Sequence, residues 1–160
     1  MGKMIINGKE CEFTNERNIL EVIRKNGFNV PTFCYRPDLT KDFGACRMCV
    51  VEIDGRMIQA SCTTPPAEGM VVKTNTEKVR SIRKSILELL LANHDRECTT
   101  CDKSGTCELQ KYAEEYGIKD ADVKKFVQKK ELLPIDDSAF TLVRDPNKCI
   151  LCGACVRACE

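Results

Sequence analysis

The chain has 160 residues, 42% hydrophobic and 31% charged, the balance of a soluble globular protein with room for one ordinary domain or two small ones. A net charge of +1 leaves no electrostatic case for nucleic acid or a membrane surface. The longest apolar stretch, Ile86 to Ala92, is broken by Glu88 and is far too short to span a bilayer, and no apolar run follows Met1, so a cytoplasmic location is the expectation.

In chain order, residues 3–13 read as a hairpin turning at Asn7-Gly8. A helix follows, capped by Thr14 or Asn15, lined by Ile19, Leu20, Val22 and Ile23, and closed at Gly27. Pro31, Pro37 and Gly44 mark residues 31–47 as an irregular loop. Met48 to Ile53 and Arg56 to Ala60 form a second hairpin about Asp54-Gly55, and Met70 to Thr74 a last strand. Together these make an α+β domain of about 75 residues. From Glu77 the period turns helical, with Val79, Ile82, Ile86, Leu89 and Leu90 recurring at three and four residues. A helix is expected from about Glu108 to Tyr116, ending at Gly117, and another over 120–131 with Val123, Phe126 and Val127 on one face. Pro134 and Asp136-Asp137-Ser138 read as a linker. The lysines 124, 125, 129 and 130 fit a solvated helix face better than a docking patch for an acidic partner.

Twelve cysteines dominate the chemistry. Without an export signal, and with four pairs only two residues apart, they suit metal chelation better than disulfides. Cys34, Cys46, Cys49 and Cys62 supply four thiolates, the number a 2Fe–2S cluster needs, and small residues around Gly44-Ala45 let backbone N–H groups approach the sulfurs. A four-cysteine zinc site is the competing assignment. Cys98, Cys101 and Cys107 lack a fourth cysteine, but His94, the sole histidine, stands one helical turn before them and is read as the fourth ligand. A neutral imidazole in place of a thiolate makes the site less anionic and raises its reduction potential; zinc with three cysteines and one histidine matches the same count. Cys149, Cys152, Cys155 and Cys159 follow the bacterial ferredoxin spacing, whose fourth cysteine serves another cluster. The first three then need a ligand from Cys159, from a partner, or from a longer protein of which this chain is a piece; the last is the expectation. Cys11 is read as a small apolar residue of the core.

The stretches Phe43 to Cys49, His94 to Cys101, Gly105 to Gln110 and Arg144 to Cys149 resemble, in order and context, the N-terminal iron–sulfur region shared by FeFe hydrogenases, the large iron–sulfur subunit of NADH dehydrogenase, and NAD(P)-linked formate dehydrogenases. The resemblance covers essentially the whole chain. It implies a β-grasp 2Fe–2S ferredoxin domain over 1–78 and a small helical 4Fe–4S domain over 79–118, held by His94, Cys98, Cys101 and Cys107. A linker over 119–138 and the first half of a two-cluster ferredoxin domain over 139–160 would follow. It implies electron relay, with no catalytic residue in this chain, between a catalytic domain, foremost that of an FeFe hydrogenase, and an NAD(P)H-oxidising flavoprotein or a ferredoxin.

Overall fold

A computed structural model of the chain describes residues 1–39, 43–127 and 131–159. By contact the chain divides into two compact units, Met1–Arg83 with Cys152–Glu160, and Lys84–Leu151.

The first unit is built on a five-stranded mixed sheet in the order β2-β1-β5-β3-β4. Strands β1 (Gly2–Ile6) and β2 (Lys9–Phe13) pair antiparallel about Asn7 and Gly8, both left-handed at φ 51° and 85°, which matches the twist of a two-residue hairpin. Alternation then sends Met4, Ile6 and Cys11 inward. Strand β5 (Val71–Lys73) lies between β1, to which it is parallel, and β3 (Val50–Ile53), to which it is antiparallel. Antiparallel pairing of Val50 with Ala60 and of Ile53 with Met57 joins β3 to β4 (Met57–Ala60). Helix α1 (Ile19–Lys25) buries Ile19, Leu20, Val22 and Ile23 in the same core as Val51, Ile53 and Val72. Cys49 and Cys62 belong to that core too.

Three expectations shift here. The cap of α1 is Asn18, whose side-chain oxygen accepts from Glu21 N–H at 3.1 Å, because the helix starts only at Ile19, four residues past Asn15. Strand β3 begins two residues later than Met48, since Arg47 is left-handed at φ 57° and turns the chain there. Residues 56, 70 and 74 fall just outside their strands.

Helix α2 (Glu77–Asn93) buries Val79, Arg83 and Leu87, a stripe at four-residue spacing. The expected inward Leu89 is 49% exposed, because a charged Arg83 occupies the buried face that an apolar count skips. That guanidinium donates to the Val50 carbonyl at 2.6 Å.

In the second unit, α3 (Glu108–Glu115) anchors through Leu109 and Tyr112 and ends at Gly117, left-handed at φ 60°. Helix α4 covers only Asp120–Lys124. Val123 is buried, but Phe126 and Val127 are exposed, so the expected longer helix lacks the tertiary burial that a short helix depends on. Residues 128–130, with Lys129 and Lys130, lie outside the described residues, as does Glu160. The stretch read as a linker carries α4 and the start of β6 (Asp136–Ala139), which pairs antiparallel with β7 (Leu142–Arg144). A 3-10 helix follows at Pro146–Lys148, opened by the Asp145 carboxylate accepting from Asn147 N–H at 2.9 Å. Helix α5 (Ala154–Ala158) completes the first unit's elements.

Candidate metal centre

All twelve cysteines are free thiols. Cys34, Cys46, Cys49 and Cys62 are all buried, held by the turns at one end of the β3–β4 hairpin and by the loop after α1. Ser61 fixes that end, giving its backbone N–H and its hydroxyl to the Cys49 carbonyl at 3.1 and 2.8 Å. Backbone donors reach the sulfurs as the small residues of this loop suggested. Phe33 N–H donates to Cys46 Sγ and Cys46 N–H to Cys34 Sγ, each at 3.4 Å. Gly44 makes this possible: its φ is +64°, and a Cβ there would sit 2.8 Å from Thr63 Cγ2.

Electrostatically the four sulfurs couple in two pairs, Cys34 with Cys46 and Cys49 with Cys62. The neighbouring Cys34 thiol lowers Cys46 to about 6 against the effect of burial, helped by N–H groups of Phe33 and Met48. The Cys62 thiol likewise lowers Cys49 to about 7. Cys34 and Cys62 move up, first through their paired cysteines and then through burial. Cys62 also feels the charges of Cys34 and Cys46, so the pairs lie within electrostatic reach of each other. Buried cysteines with lowered pKa give up their protons more readily than ordinary thiols, which suits them to soft metal ligation.

His94 follows the last residue of α2 and is half-buried. Burial first, then the Lys148 ammonium, lowers its pKa, while Asp95 and Asp145 oppose them, and the net shift favours the neutral ring. Its Nδ1 is buried with no hydrogen-bond partner among the described residues. Cys101 N–H donates to the Cys98 carbonyl at 3.2 Å, and Cys107 is the N-cap of α3. Cys98 is exposed, Cys101 and Cys107 partly so. Among the described residues no three His, Cys, Asp or Glu side chains gather as a single-ion site.

In the last run, Leu151 N–H donates to Cys149 Sγ at 3.4 Å. Cys155 lies within α5 and Cys159 caps its end. Gly153 packs on Phe43, whose ring a Cβ would meet at 2.8 Å, and the Arg157 guanidinium stacks on the same ring at 5.3 Å. Cys149 is counted with the second unit, and Cys152, Cys155 and Cys159 with the first.

Sequence reasoning gave no role to Ser61, nor to Asn147 and Lys148, although both of these lie in the Arg144 to Cys149 stretch that carries the resemblance. Asn147 is buried and bonds both the N–H and the carbonyl of Leu133, at 2.9 and 2.8 Å. Asp145-Pro146 is a helix-start signal that marks the turn in which Asn147 and Lys148 stand.

Residues 3–77 match the family described as the 2Fe-2S iron-sulfur cluster binding domain. Residues 83–122 match the NADH-ubiquinone oxidoreductase-G iron-sulfur binding region, and 142–160 the 4Fe-4S binding domain. A G-type subunit of the NADH-quinone oxidoreductase of Rhizobium meliloti (strain 1021) is 39% identical, over 100% of this chain and 19% of its own length. The HndD subunit of the NADP-reducing hydrogenase of Solidesulfovibrio fructosivorans is 36% identical, over 97% of this chain and 27% of its own length. A crystal structure of NAD+-reducing NiFe hydrogenase in the H2-reduced state contains a chain that superposes with a TM-score of 0.87 at 36% identity, covering 98% of this chain and 65% of that one. The chain thus spans about a fifth to a quarter of the curated relatives it matches.

Proposed function

We propose that this chain, which belongs to the iron–sulfur electron-transfer family shared by G-type subunits of NADH-quinone oxidoreductase and by hydrogenase subunits, relays single electrons to or from the catalytic centre of a larger oxidoreductase. Iron–sulfur clusters, when bound, supply the one-electron chemistry; the residues ligate, shield and tune. Cys34, Cys46, Cys49 and Cys62 would hold a 2Fe–2S cluster, supplying the four thiolates it needs. His94, Cys98, Cys101 and Cys107 hold a 4Fe–4S cluster, for which the unpartnered, neutral His94 ring is suited. Cys149, Cys152 and Cys155 serve a further 4Fe–4S cluster, with Cys159 its fourth ligand or a ligand of another.

In domain terms, 1–78 is a β-grasp ferredoxin domain, which the mixed sheet with α1 in its core supports. Residues 79–118 form the 4Fe–4S domain, 119–138 a connector and 139–160 the opening of a ferredoxin domain. The partners are an NAD(P)H-oxidising flavoprotein or a ferredoxin on one side and a catalytic domain on the other, in the cytoplasm. An FeFe hydrogenase is the first choice of parent. The match of residues 83–122 to the NADH-ubiquinone oxidoreductase-G region favours the respiratory enzyme as a second reading.

The observation that carries the proposal is the buried pair of sulfur pairs with backbone N–H groups aimed at them. Anaerobic iron and sulfide analysis, with EPR after dithionite reduction, tests it. About six irons are expected for the first two clusters and about ten with the third; zinc without sulfide overturns the relay. The His94→Cys variant is expected to keep a 4Fe–4S signal at a lower midpoint potential, and an unchanged potential would count against ligation by His94.

A further inference from the structure

We propose that Lys148 positions the His94 centre and sets its potential: its ammonium clamps the loop between His94 and Cys98 and holds a fixed positive charge beside the ligands. Lys148 Nζ donates to the Glu97 carbonyl at 2.8 Å, to Asp95 Oδ2 at 2.8 Å and to the Asp95 carbonyl at 3.4 Å. An ammonium has three N–H donors, and these three acceptors occupy them all, so the charge is held in place. Two of the acceptors are main-chain oxygens inside the His94–Cys98 loop. A second tie runs alongside, from Asp95 N–H to the Asn147 carbonyl at 2.9 Å. The side chain of Lys148 is only 22% exposed, which limits solvent screening of its charge.

The electrostatics agree with this geometry. Lys148 helps push the His94 pKa down, and Cys101 helps push that of Lys148 up, so both ligand residues lie in the field of this one ammonium. Reduction adds negative charge to the site. A fixed cation nearby stabilises the reduced form, while the Asp95 carboxylate partly offsets it. An ordinary exposed ion pair adds little stability and acts on a distant site only through solvent screening.

This inference rests on the assignment of His94, Cys98, Cys101 and Cys107 as cluster ligands. The test is an EPR-monitored redox titration of anaerobically loaded protein, comparing wild type with K148R, K148M and D95N after iron and sulfide have been counted. Reduction of the 4Fe–4S signal is expected to become about tenfold less favourable in K148M, a downward shift of roughly 59 mV for one electron. K148R stays near wild type, and D95N shifts upward. The 2Fe–2S signal is the internal reference, and an equal shift in both signals overturns the inference. A wild-type protein without a 4Fe–4S signal overturns the ligand assignment itself; a loaded K148M with unchanged potential overturns the role of Lys148 alone. If K148M takes up no cluster while K148R does, D95N decides: an upward shift supports the role and an unchanged potential overturns it.

Discussion

Cys11 and Cys62 are equally buried, each 1% exposed, yet only one has sulfur neighbours. The Cys11 thiol faces the Lys9 carbonyl at 3.5 Å in the core cluster with Met4, Ile6 and Val72. Its absence from any cluster spacing made it legible as a core residue from sequence. Cys11→Ala is therefore expected to leave iron and sulfide per chain unchanged while lowering stability by about 1 kcal/mol, measured by denaturant titration. Gly44→Ala should do the opposite. The left-handed backbone costs an alanine about 1–2 kcal/mol, and its Cβ would meet the methyl of Thr63, the residue after Cys62. Reduced 2Fe–2S content, read from visible absorption per chain, is the expected outcome; full content would show that the loop can relax. Lys148 was beyond sequence reading, since a lysine's charge carries no message until its neighbours 51 and 53 residues away are known.

Among the elements, the start of α1 shows why caps are harder to read than faces. Ile19, Leu20, Val22 and Ile23 declare the buried side through their spacing alone. The cap depends on distant partners: Ile19 N–H donates to the Thr64 carbonyl at 2.9 Å and Leu20 N–H to the Ser61 carbonyl at 3.1 Å. The first turn of the helix is thus tied to both flanks of Cys62, a contact no local pattern announces. Asn18→Ala removes the bond to Glu21 N–H and should cost about 0.5–2 kcal/mol. Because the helix end and the Cys62 turn are bonded together, the same variant should release its 2Fe–2S iron to a chelator faster than wild type. Equal release rates would separate the cap from the site. The buried face of α2 was misjudged for a different reason. Its stripe runs through Arg83, and an apolar count moves past a charged residue whose main-chain acceptor lies 33 residues away.

Across the whole molecule, what the sequence disclosed was the grouping of the cysteines, and what it withheld was the scaffolding around them. Cysteine spacing marked three groups because chelation demands several soft donors in short runs. Ser61, Asn147 and Lys148 act through main-chain hydrogen bonds, which almost any sequence could supply, so their roles emerge only from the fold. Among the described residues nine ion pairs occur, and the one from Lys148 to Asp95 ties down the segment that follows His94.

The contrast between the sealed first group of sulfurs and the open Cys98, Cys155 and Cys159 bears on how the protein ages. Dioxygen attacks what it can reach, and thiolates shielded from solvent are reached last. A loaded sample left in air should fade in two stages. The broad brown absorption of the 4Fe–4S clusters goes first, and a red 2Fe–2S spectrum outlasts it, with iron released in the same order. A single-stage loss would mean that exposure of the sulfurs does not govern durability. In a cell meeting intermittent oxygen, the buried core of the first unit would be the part of the relay that survives to be repaired around.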